Sequence, residues 1–392
     1  MKLFGHSALD EFHLDLGVLH LNHGAYGAVP KAVMREYQRL QLTAEARCST
    51  FFREDYYRHI AANLSAAADK YGGEKDDWVF VENATAAGNA VFQSEVFEAG
   101  DEVLFTSHIY GAVRNTILHW IKPQNVTLRE VVIDLPLTSS AQVANQISEA
   151  LTPRTKLLVI DHITSTSALA LPVAEIAKQC RTNGTRVFVD GAHVPGQMKL
   201  NVPSLDVDYY ACNAHKWHFA PKGCGLLWVK RDRALTVHPT TISHGLGQGL
   251  KAEFSWIGTR DSSAWFAFQS AVAAHDGFGG PRLMKRNRAL AAEAGALIAA
   301  ELGTSVAGPP DTQTSMTSIL LPVVADASSS DRIQREFSSR YAMETSFVSW
   351  NERLAVRISA QVYNELADYE KLIMALRDYF ELARTTSSKV KV

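Results

Sequence analysis

The sequence is poor in cysteine, and its four cysteines, Cys48, Cys180, Cys212 and Cys224, are scattered without a CxxC pair. That spacing supports neither a disulfide framework nor a thiolate zinc site, so buried thiols are the expectation. None of the 14 histidines forms an HExxH motif, and no metal centre is expected. No apolar run reaches the roughly eighteen residues that a membrane-spanning helix needs. The opening MKLFGHSALDEFHLDLG has acids where a secretory signal needs its apolar stretch, which makes the cytoplasm the expected location. An excess of one charge is lacking too: 39 Lys and Arg face 41 Asp and Glu, with no run of either sign. Neither nucleic acid nor a membrane surface is an expected partner. Repeats are absent, and the only biased stretch is the short polar tail TTSSKVKV, expected to be disordered.

What is present is a long alternation of short apolar runs with helix-like segments between about residues 78 and 230. WVFVEN, DEVLFTS, LREVVIDL, TKLLVIDHI, TRVFVDGA, VDYYACN and GLLWVKR are the strand candidates. ATAAGNAVFQSEVF, YGAVRNTILHWI, SSAQVANQISEAL and VAEIAKQCRTNG read as the helices between them. Such alternation predicts βαβ units and a mainly parallel sheet covered on both faces. Further on, a long helix from Pro281, the strand-like TSMTSILLPVV and RLAVRISA, and a last helix ELADYEKLIMALRDYFELA predict a smaller α+β domain. At 392 residues, two domains are expected: a large one over 20–258, and a smaller one built from 1–19 and 259–392.

The strongest chemical signal lies between Val187 and Lys216. Asp190 ends the apolar strand of VFVDGAH, at the edge where open α/β sheets present ligand-binding groups. A carboxylate there can keep a cofactor's pyridine nitrogen protonated; it can equally cap a helix or bind a ribose. Lys216, in the apolar and aromatic setting NAHKWHFAPKG, favours the first reading. Desolvation and the neighbouring His215 and His218 would lower its pKa toward an imine-forming amine, whereas an ordinary lysine would snorkel to the surface. ENATAAGNA adds a strand end opening into a helix through small residues, a turn whose N–H groups attract anions. Thr85 contributes a hydroxyl there, and Ala84 and Ala86 permit close backbone approach.

Together, Asp190-Gly191-Ala192-His193, Asn213-Ala214-His215-Lys216 and Asn83-Ala84-Thr85 resemble the cofactor motifs of class V aminotransferase-fold pyridoxal phosphate enzymes. LNHGAYGAVP and EFSWIGTRD look most like the isopenicillin N epimerase branch, and the likeness runs from about residue 19 to 360. The resemblance implies the fold type I architecture: a large domain with a mainly parallel seven-stranded sheet between helices, plus a smaller α+β domain. It implies pyridoxal 5'-phosphate as cofactor, with Lys216 as Schiff-base lysine, Asp190 as pyridinium partner and His193 near the ring oxygen. Ala84, Thr85, Ala86, Asn213 and His215 would hold the phosphate, with Thr259 reaching in from a second subunit of a homodimer with shared sites. Ser165 would bond the ring hydroxyl, and Tyr110, or else His108, would stack on the ring. Arg357 in LAVRISA would clamp the carboxylate of an amino-acid substrate, and Asn22, His23 and Gly24 would line the entrance.

The motifs specify the cofactor more closely than the reaction. Epimerisation or racemisation at the α-carbon is the first expectation, and it needs proton donors on both faces: Lys216 on one, and His23, Tyr26, His244 or a water on the other. A C–S β-lyase similar to hercynylcysteine sulfoxide lyases is the alternative, and plain transamination is a third. Persulfide chemistry is disfavoured, because the loop-like GPPDTQTSMTS carries no cysteine. A scaffold or metabolite-binding protein on a degenerate version of the fold would be favoured by loss of Lys216, Asp190 or Arg357, and all three are present. FFREDYY near residue 51 and SHGLGQGLKAEFSW near residue 243 are expected to shape the substrate side-chain pocket.

Overall fold

The computed structural model describes residues 4–381 and the two-residue strand Val390–Lys391. Seven strands form the central sheet: β1 (Trp78–Val81), β2 (Glu102–Thr106), β3 (Thr127–Val131), β4 (Thr155–Asp161), β5 (Arg186–Gly191), β6 (Tyr209–Asn213) and β7 (Gly225–Val229). Their spatial order is β1-β7-β6-β5-β4-β2-β3, and β7 alone runs antiparallel to its neighbours. Every strand candidate in the sequence becomes one of these strands.

Period-two alternation explains why the runs are apolar almost throughout. Trp78, Phe80, Leu158, Ile160, Val187 and Val189 enter one core, while Val79, Val81, Leu157, Val159 and Phe188 enter the core on the opposite face. Helices cover both faces. Asn83 and Ser139 cap the helices Ala84–Ser94 and Ser140–Ala150 with side-chain oxygens that accept from Ala86 N–H and Gln142 N–H. The helix Val173–Asn183 stops at Gly184, which adopts the left-handed conformation at φ 75°.

The smaller sheet contains β8 (Met316–Val324), β9 (Ser346–Trp350) and β10 (Arg353–Ser359), paired antiparallel in the order β9-β10-β8. Helices Pro281–Glu301 and Leu366–Tyr379 pack on it through Leu290, Ala294, Ile298, Tyr369, Leu372 and Leu376. The N-terminal segment joins this domain through the parallel pairing of Leu19–His20 with Met343–Glu344. Val390–Lys391 pair parallel with Val323 and Val324 on the edge of β8; the rest of TTSSKVKV, expected to be disordered, lies outside the described residues.

The chain that follows residue 258 still packs on the large domain. Ala264, Trp265, Phe266, Phe268 and Ala271 are buried in the large-domain core, where Trp265 stacks on Phe80 with ring centroids 5.5 Å apart. An aromatic run of that size is buried where a matching aromatic surface exists, and that surface belongs to β1 and to the helices Lys31–Ala46 and Tyr56–Tyr71. Phe51 and Tyr56 join the same core, Tyr56 against Trp256 at 5.3 Å, and neither FFREDYY nor SHGLGQGLKAEFSW lines the cavity described below. Among the described residues no helix is long and apolar enough to cross a membrane.

Candidate active site

The carboxyl ends of β4, β5 and β6 deliver Asp161, Asp190 and Asn213 to one rim of the sheet, and the turns that follow close a cavity of about 220 Å³ over them. It is lined by Asn83, Ala84, Thr85, Tyr110, Ser165, Asp190, Ala192, His193, Asn213, His215 and Lys216, and by three residues the sequence motifs did not assign to it: Ala25, Tyr26 and Asp161. Tyr26 is expected from the sequence only as a proton donor; Asp161 has the same signal as Asp190, an acid closing an apolar strand.

Lys216 is largely buried, and its pKa falls from 10.5 to about 8, mainly through desolvation, with the Arg357 charge acting in the same direction and Asp190 opposing. Its Nζ lies 3.2 Å from His193 Nε2. The Trp217 indole N–H donates to His193 Nδ1 at 3.4 Å, so the neutral imidazole carries its proton on Nε2 and directs it at Nζ. Burial holds His193 neutral, well below its ordinary pKa. A nitrogen that accepts a hydrogen bond must have a lone pair, so this contact disfavours the ammonium form and acts in the same direction as the lowered pKa.

At the opposite end, Asn213 Oδ1 accepts from Ala84 N–H at 2.8 Å, and Asn83 Oδ1 accepts from Ala86 N–H at 2.9 Å. The N–H groups of Ala84 and Ala86 are therefore spent on shaping the turn. Thr85, Asn213 and His215 line the cavity at the start of this eleven-residue helix, the end whose N–H groups attract anions. His215 bonds the Cys224 carbonyl through Nδ1 at 3.1 Å, and burial lowers its pKa to about 4.

Of the two stacking candidates, Tyr110 lines the cavity and is 46% exposed at its mouth. His108 does not reach it. Its Nε2–H donates to the Ile133 carbonyl at 2.9 Å, its Nδ1 accepts from Ser167 at 2.8 Å, and its ring stacks on Trp350 of the small domain at 3.9 Å.

Arg357 stands one layer behind Ser165. It donates from Nη1 to the Ser165 carbonyl at 2.5 Å and from Nη2 to Asn22 Oδ1 at 3.0 Å, while its buried Nε has no partner. Asn22 thus orients the arginine. His23 and Gly24 do not line the entrance. His23 is buried, donates through Nε2 to the Lys216 carbonyl at 3.1 Å, and accepts at Nδ1 from Tyr363 at 3.0 Å and Ala28 N–H at 3.3 Å. Burial lowers its pKa to about 3, which removes it as a second catalytic base. A Cβ on Gly24 would sit 2.6 Å from Met316 Sδ, and one on Gly27, at φ +71°, 2.4 Å from the His215 carbonyl. LNHGAYGAVP therefore works as a clamp on the backbone of the lysine turn. His244 is not among the residues lining the cavity, and Thr259 lies in a different surface depression beside Gln41 and Phe52.

An amine poised to form an imine, a carboxylate at the strand end and an anion-seeking helix start fit a cofactor that carries an aldehyde, a basic ring nitrogen and a phosphate. The comparisons agree. The Aminotransferase class-V family profile matches residues 24–372. The chain is 30% identical to the "Putative L-cysteine desulfhydrase 1" of Oryza sativa subsp. japonica, covering 92% of this chain and 83% of that protein. It is 27% identical to the isopenicillin N epimerase of Amycolatopsis lactamdurans, covering 95% and 98% respectively. A solved C-DES mutant with glycine covalently linked to its PLP cofactor superimposes with a TM-score of 0.82 at 18% identity, over 94% of this chain and 99% of that one. This chain belongs to the class V aminotransferase family and is an enzyme whose cofactor is pyridoxal phosphate.

Proposed function

We propose that this enzyme is a C–S lyase that eliminates sulfide or a thiol from L-cysteine or a cysteine-derived substrate. The reading rests on Lys216, a base that lines the cavity and whose pKa burial lowers to about 8. Elimination needs one base at Cα and a proton for the sulfur, and the proton that Lys216 accepts can be passed on to the departing atom. Epimerisation needs a second acid on the far face. Burial lowers the pKa of His193 and His215, His23 is bound up in the clamp and His244 does not line the cavity, which leaves Tyr26 or a water from the expected set.

Bound pyridoxal phosphate supplies an electron sink for negative charge at Cα. Around it, Lys216 would take and return protons, Asp190 would pair with the ring nitrogen, Tyr110 would cover the ring and Ser165 would bond its hydroxyl. Thr85, Asn213 and His215 would hold the phosphate, and Thr259 of a second copy would complete that site in a homodimer. Arg357, oriented by Asn22, receives the α-carboxylate. None of the four cysteines lines the cavity, which favours release of sulfur over its capture on the enzyme. The 30% identity to a protein named as a cysteine desulfhydrase, against 27% to an epimerase, points the same way.

Incubating the holoenzyme with L-cysteine in D₂O tests the proposal. Sulfide and pyruvate released in equal amounts are expected. Deuterated D-amino acid without sulfide would make it an epimerase, and keto acid with stoichiometric pyridoxamine phosphate a transaminase; either result overturns the lyase reading.

A further inference from the structure

The ends of β4 and β5 bring two carboxyl groups together. Asp161 and Asp190 are register partners on adjacent parallel strands, both are buried, and both line the cofactor cavity. Strands in such a pair lie about 4.8 Å apart. Asp190 accepts from Ala192 N–H through Oδ1 at 2.9 Å. Asp161 accepts the backbone N–H of Tyr110, yet its Oδ2 is sealed from solvent and has no donor.

Among the described residues no lysine or arginine forms an ion pair with either acid. Lys216 Nζ is held by His193, and the Arg357 guanidinium by Ser165 and Asn22. Two ionised carboxylates this close in a dry interior repel strongly, so one must keep its proton. A protonated Asp161 also removes the anomaly of its Oδ2, which becomes a donor beside an acceptor.

We propose that Asp161 is a positioning residue, an un-ionised carboxylic acid whose Oδ2–H donates to Asp190 and keeps that carboxylate anionic and turned toward the cofactor's ring nitrogen. Burial and the Asp190 charge both raise the Asp161 pKa well above the ordinary carboxyl range, with Lys216 opposing more weakly from the turn after β6. Through Tyr110 N–H the same acid fixes the start of the loop that carries the ring-covering tyrosine. The inference takes Asp190 as the ring-nitrogen partner.

Infrared difference spectra of cofactor-free wild type against Asp161→Asn at about pH 7 read the protonation state directly. Loss of a protonated-carboxyl C=O band is expected, and loss of carboxylate bands instead would overturn the proposal. In the reconstituted protein, Asp161→Asn keeps a donor and should bind pyridoxal phosphate within about threefold of wild type. Asp161→Val, which has no donor, should lose about tenfold or more and shift the pH midpoint of the cofactor's absorbance. Equal losses in Asn and Val would also overturn it. If Asp190→Ala binds cofactor normally, the reading of Asp190 is wrong, while the infrared result on Asp161 still stands by itself.

Discussion

The lowered pKa of Lys216 can be tested through the speed with which the cofactor-free protein captures pyridoxal phosphate. Only the neutral amine attacks the aldehyde. With a pKa of about 8, roughly one lysine in ten is neutral at about pH 7, against roughly one in three thousand at the ordinary 10.5, a gain of about 300-fold. The sign follows from the cause: burial penalises the ammonium form, so the proton leaves at lower pH. Stopped-flow absorbance across the pH range, with cofactor in excess, should give a capture rate that rises and levels off with a midpoint near 8. In Arg357→Gln, removal of a nearby positive charge should move the midpoint upward. A rate still climbing without a plateau beyond pH 10 would mean that the amine is ordinarily solvated and that the burial argument is wrong.

Other consequences are open to measurement. Asp190→Ala should retain weak cofactor binding but lose on the order of a hundredfold or more in kcat, the scale seen when a preorganised electrostatic partner is removed; normal turnover would refute the electron-sink role. Arg357→Ala should mainly raise KM for α-carboxylate substrates, by about 10- to 100-fold for lost charge-assisted hydrogen bonds, and an unchanged KM would assign the carboxylate to another group. His23 lies in the clamp with its pKa lowered from 6.5 to about 3, so the unfolded chain binds the extra proton first as pH falls. Its neutral-form contribution is present above pH 6.5 and is lost toward pH 3, by up to about 5 kcal/mol. Urea denaturation of His23→Leu should show a weaker acid dependence than wild type, and identical pH profiles would contradict the burial.

The parts of the fold and site that were legible in the sequence are those set by short-range pattern. Strands buried on both faces read as apolar runs, and a polar residue closing such a run, as Asp190 and Asn213 do, marks the ligand edge of the sheet. Asp161 has the same mark, but its pairing with Asp190 depends on strand order rather than on its own neighbours. His108 and Tyr110 sit two residues apart on one turn, and what separates them is Trp350, a contact more than two hundred residues away. The resemblance implies an entrance position for His23, but its bond to Tyr363 spans 340 residues and makes its motif a brace. The packing of Trp265 and Phe268 is illegible for a similar reason, since their aromatic partner is on β1.

The account depends above all on Lys216 being the residue that holds the cofactor. Borohydride reduction of the reconstituted protein, followed by proteolysis and mass spectrometry, tests this directly. The phosphopyridoxyl group is predicted on the peptide containing Lys216 and to be absent from Lys216→Ala; stoichiometric labelling of another lysine, such as Lys222, would contradict the account.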